Sequence, residues 1–80
     1  MSVEARLRWR ARRGTRELDT MLGWWMDMRF VDASAQTQAN FEALLEASDP
    51  DLWDWLTGHA EPSEPRFTTI IDEIRTHHRI

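Results

Sequence analysis

The sequence predicts a small, single-domain, all-α protein, a five-helix bundle over residues 1–80. Three observations predict it. Apolar residues recur at helical spacing in segment after segment, no segment alternates apolar and polar residues at strand period, and no Asn-Gly or Asp-Gly hairpin turn occurs. Cap residues fall where those segments begin and end.

Ser2 can cap a first helix running from 3 to 12, with Val3 and Leu7 as its clear aliphatic anchors. Leu18, Met21, Leu22 and Trp25 fall at i, i+3, i+4 and i+7 and place a second helix near 15–30. Ser34 opens a third, near 35–47, whose stripe is the shorter set Phe41, Leu44 and Leu45. Asp49 followed by Pro50 reads as an N-cap with proline at the first helical position. The fourth helix then spans about 50–58, carries Leu52, Trp55, Leu56 and His59 on one face, and closes at Gly58. The stretch "HAEPSEP" spaces it from the last helix, which Ser63 opens near 64–78 with the stripe Phe67, Ile70, Ile71 and Ile74.

Five tryptophans and three phenylalanines supply the apolar area that so short a chain needs, since it buries only about 60% of its unfolded surface. That need favours Trp9, Trp24 and Trp53 completing the core, although Trp24 and Trp53 lie off their stripes and Trp9 sits among arginines. The alternative is an aromatic surface for a partner. The absence of cysteine excludes disulfides and thiolate metal sites. No apolar run approaches the ~20 residues of a membrane span, and no apolar stretch follows the first arginines as in a signal peptide. The expectation is a soluble intracellular protein without membrane insertion.

The net charge of −4 hides an asymmetry. Residues 1–16 hold six arginines against Glu4, a local +5, whereas residues 17–65 hold eleven acids against Arg29, a local −10. The arginine-rich start, with Trp9 available to stack on a base, permits a nucleic-acid-binding or antitoxin-like role. The acidic body opposes it, and several arginines can instead neutralise acids on neighbouring helices. No nucleic-acid partner is therefore expected.

Catalytic chemistry finds no footing. Asp49, Asp51 and Asp54 lack the glycine and terminal glutamate of a calcium loop, and acids at a helix start suit its dipole without a metal. His77 and His78 point about 100° apart on a helix and cannot jointly grip one ion. His59 reads as a hydrogen-bonded structural residue. No metal ligand, catalytic residue or dinucleotide fingerprint is evident, and an enzyme is not expected.

The stretch "RRGTRELD", Arg12 to Asp19, remains. A glycine inside a helical pattern costs roughly 1 kcal/mol relative to alanine. Gly14 therefore marks either the turn between the first two helices or a place where another backbone comes close. Arg13, Gly14 and Glu17 then form one small charged patch, or Glu17 simply favours the first turn of the second helix. The residues alone leave both readings open.

This stretch, an RGxxE motif made by Arg13, Gly14 and Glu17 and followed by Leu18 and Asp19, resembles the small FAD assembly factors of succinate dehydrogenase, the SdhE-like flavinator family. The likeness extends through "DPDLWDWL" and "TGHAEP" to the last helix. Departures are the bulky "MLGWWMDMRF", which leaves Trp24 as core or contact, and an end at "THHRI" without a longer polar tail. The resemblance implies a five-helix bundle of the bacterial cytoplasm that is not itself an enzyme. It implies binding to the flavoprotein subunit of succinate dehydrogenase, and in bacteria also that of fumarate reductase, promoting covalent attachment of FAD to a histidine there. FAD would be the partner's, with none held tightly by this chain. By position, Arg13, Gly14 and Glu17 would face the partner, with Arg12, Arg16, Asp19 and Trp9 beside them. Monomer and weak homodimer both remain open.

Overall fold

In the computed structural model, which describes residues 2–78, helices begin where a hydroxyl can take up an amide that the first turn leaves unpaired. The elements are α1 (Val3–Arg10), α2 (Arg16–Met28), α3 (Ala35–Leu44), α4 (Asp49–Thr57), a 3₁₀ turn (Pro65–Phe67) and α5 (Thr68–His77). Met1, Arg79 and Ile80, the ends of the expected 1–80 domain, lie outside the described residues. The hydroxyls of Ser2, Thr15, Ser34 and Ser48 accept from the amides of Ala5, Leu18, Thr37 and Asp51 at 3.0, 3.2, 3.1 and 3.3 Å. Among the described residues there is no strand, and the all-α expectation holds.

The helical stripes meet in one core. Leu18, Met21, Leu22 and Trp25 of α2 pack with Phe41 and Leu44 of α3, Leu52, Trp55 and Leu56 of α4, and Ile70, Ile71 and Ile74 of α5. Helix α1 contributes Leu7, and Ala11 follows just past its end. Trp25 is the centre: its ring stacks on Phe41 at 4.4 Å between centroids and meets Phe30 edge-on at 6.2 Å. Its indole N–H donates to Glu73 Oε1 at 3.2 Å, so the polar end of a fully buried side chain is satisfied across α2 and α5. Glu73 is held in turn by the guanidinium of Arg29.

Several boundaries differ from the sequence reading, each for a physical reason. Helix α1 stops at Arg10 rather than Arg12, because Ala11 turns into the core and the chain must leave the helix to reach α2. Helices α2 and α3 likewise end early, at Met28 and Leu44, as residues 29–32 and 45–46 tighten into turns. The cap of α4 is Ser48, not Asp49; the hydroxyl takes the Asp51 amide and leaves the Asp49 carboxylate for another task. Ser63 caps nothing: the last helix is entered through the 3₁₀ turn, preceded by extended Glu64.

Gly58 does end α4. It sits at φ 82°, and the amides of Gly58 and His59 close onto the carbonyls of Trp55 and Asp54 at 3.3 and 2.8 Å. That reversal carries His59 off the apolar stripe onto the surface, where its Nδ1 lies 2.6 Å from the Thr57 hydroxyl. The core also excludes two tryptophans expected to complete it. Trp9 is 68% exposed and Trp53 37%, because Trp25, Trp55 and the phenylalanines already fill the interior. Trp24 is half-buried at the edge, stacked on His77 at 4.1 Å.

A core this small has little reserve. Phe41→Ala should cost about 3–5 kcal/mol, comparable to the whole stability of such a domain. In urea unfolding followed by circular dichroism, the variant should show no cooperative transition at 25 °C.

Candidate functional site

The chain between α1 and α2, residues 11–15, is where the arginine-rich start meets the acidic body. Two acids from different helices fasten it. Asp19, one turn into α2, accepts the backbone N–H of Arg13, and Asp49, at the start of α4, accepts the backbone N–H of Gly14 at 3.1 Å through Oδ2. The Arg13 side chain turns inward and is only 16% exposed. Its Nη2 donates to the Leu45 carbonyl at the end of α3, and its Nη1 lies 3.7 Å from Asp49 Oδ1. A cation at the C-terminal end of a helix is favoured by the dipole, and the carboxylate neutralises it. One arginine thus ties the interhelix turn to the end of α3 and the start of α4.

Gly14 is the turn that the sequence left as one of two options, but it does not adopt a left-handed conformation. Its need is space. A Cβ at this position would stand 3.2 Å from Asp49 Oδ2, a contact that presses on the carboxylate holding the loop. The outer side of Gly14 is open to solvent.

The remaining candidates face outward. Glu17, in the first turn of α2, is exposed, as are Arg12 and Arg16. Among the described residues, Arg16 and Glu17 make no side-chain hydrogen bond or ion pair. The Arg12 guanidinium lies over the exposed Trp9 ring at 5.5 Å. The predicted set thus divides. Arg13 and Asp19 build the loop, and Trp9, Arg12, Gly14, Arg16 and Glu17 form what it presents.

The other N-terminal arginines have internal partners. Arg6 and Arg10 lie 3.1 and 3.7 Å from Glu42, and Arg8 pairs with Asp27. The hydrogen bond it donates to the Asp27 carboxylate holds the Arg8 guanidinium above its ordinary pKa. Such surface pairs add little stability, but they remove a continuous cationic face of the kind a phosphate backbone requires. Among the described residues, no group of three His, Asp or Glu side chains could hold a metal ion, and no helix is long and apolar enough to cross a membrane.

Sequence reasoning missed Asp49 as part of this site. It stands 35 residues from Gly14, and the only local signal was that Ser48, directly before it, could serve as the cap instead.

A model of the family described as the flavinator of succinate dehydrogenase (Sdh5) matches residues 5–78. The chain is 38% identical over 74 residues to the FAD assembly factor SdhE of Vibrio vulnificus, covering 92% of this chain and 86% of that protein. It is 37% identical over 75 residues to the protein of the same name from Methylococcus capsulatus, covering 94% and 90%. The corresponding protein of Coxiella burnetii is 37% identical over 70 residues, covering 88% and 85%.

Asp49→Ala should unfasten the loop without melting α4, because the Ser48 cap remains. The expected loss is about 1–3 kcal/mol in chemical unfolding, from the stranded Gly14 amide and the less well paired Arg13. Amide exchange by NMR should show Gly14 accelerated and the interior of α4 unchanged.

Proposed function

This chain belongs to the succinate dehydrogenase flavinator family, and we propose that it binds the flavoprotein subunit of that enzyme through the α1–α2 loop. The observation that carries this reading is the division of labour just described. The loop backbone is fastened from behind by Asp19 and Asp49, so the side chains in front need little further ordering when a partner arrives. Gly14 offers bare backbone for close approach, while Arg16 and Glu17 offer charges of both signs that no side chain among the described residues engages. Trp9 with Arg12 adds the residue types that most often anchor an interface.

The chain itself is a poor holder of FAD. A dinucleotide site needs free backbone amides to cradle a pyrophosphate. Here the amides of Arg13 and Gly14 are already taken by carboxylates, and Asp49 would oppose a phosphate. FAD therefore belongs to the partner, and the bond to it forms between groups of the partner. This chain contributes position: by gripping the flavoprotein subunit it favours the arrangement in which the reacting groups meet, without donating a catalytic side chain. Fumarate reductase, with a related flavoprotein subunit, is a second partner on the same proposal.

Covalent FAD survives denaturation, so in-gel flavin fluorescence of the denatured flavoprotein subunit reads the outcome. Co-expression with the wild-type chain should raise that signal severalfold, and Glu17→Ala or Gly14→Arg should return it to the background of cells lacking the chain. Variants that keep a wild-type circular dichroism melt and still give full fluorescence would contradict the proposal.

A further inference from the structure

We propose that Trp53 is a further anchor of this docking surface, seated in an apolar hollow of the flavoprotein subunit next to the point where that subunit meets Gly14. The inference rests on the function proposed above and adds a residue on a different helix.

The register of α4 carries the argument. Asp49 reaches the Gly14 amide at 3.1 Å, so the flank of α4 that bears Asp49 faces the loop. Trp53 is four residues on, about 40° further round the helix and roughly 6 Å along it. Helical side chains lean toward the N-terminus, which tips the indole over the turn that holds Asp49. Trp53 is 37% exposed, whereas the other tryptophan of this helix, Trp55, is 6% exposed and in the core. Exposed Pro50 stands about 60° from Trp53 on the same outer side and extends the apolar surface.

The flank is also stiff. The Thr57 hydroxyl, one turn beyond, donates to the Trp53 carbonyl at 2.7 Å and lies 2.6 Å from His59 Nδ1.

The chemistry of the receiving surface follows from where the acids lie. Asp51 and Asp54 point about 160° and 100° away from Trp53. The one carboxylate on the Trp53 flank, Asp49, is occupied by Gly14 and Arg13. The partner surface that covers Trp53 therefore meets an indole and a proline ring, which calls for an apolar hollow and not a basic patch.

Isothermal titration of the purified, FAD-loaded flavoprotein subunit tests this. Trp53→Ala should weaken binding about 30-fold, Trp53→Phe should stay within about threefold of wild type, and Asp54→Asn, on the far flank, within about twofold. If Trp53→Ala binds as wild type while Glu17→Ala is weakened, the inference fails and the proposed function stands. If the wild-type chain does not bind the subunit, both fail. Should Trp53→Ala lose its fold, Trp53→p-benzoylphenylalanine decides: photo-cross-linking to the subunit supports the anchor, and none overturns it.

Discussion

The structure turns on one half-buried arginine. Arg13 lies where the end of α1, the end of α3 and the start of α4 converge, and its guanidinium is drawn to the Leu45 carbonyl and the Asp49 carboxylate. Its Nε is buried without a hydrogen-bond partner among the described residues, so the remaining donors must compensate for a charge largely withdrawn from water. Asp49 makes this tolerable, and the same carboxylate holds the Gly14 amide. A single acid therefore satisfies a cation and positions a backbone, one oxygen for each.

Function, on this account, is what such fastening leaves over. The basic N-terminal segment is largely absorbed by Glu42, Asp27 and Asp49, and what that segment and the start of α2 leave uncommitted among the described residues is an aromatic–arginine pair, a glycine and two opposite charges. A rigid patch of mixed charge favours a folded protein partner of matching shape over a flexible polyanion. Positioning of this kind requires a firm surface and no reactive group.

Much of the fold was legible because its signals are local. The stripes of α2, α4 and α5 are visible as i, i+3, i+4 spacings, and Gly58 is needed for a backbone at φ 82°. What was not legible depends on distance in sequence. Nothing near Gly14 announces that Asp49 will approach it, and nothing near Arg13 announces that it will turn inward to a carbonyl 32 residues away. The residues of the motif leave a charged patch and a plain interhelix turn equally open; in the structure its arginine faces the protein and its glutamate faces solvent. The tryptophans were misplaced for a related reason. Core capacity is a property of the whole packing, and once Trp25 had stacked on Phe41 and Trp55 had met Phe67, no room remained for Trp9 or Trp53.

The measurement that tests the central claim most directly is backbone amide exchange by mass spectrometry, on the chain alone and with an excess of the FAD-loaded flavoprotein subunit. The account predicts new protection over residues 9–19 and the first two turns of α4, with α5 unchanged. Protection confined to α5, with residues 9–19 exchanging as in the free chain, would contradict it.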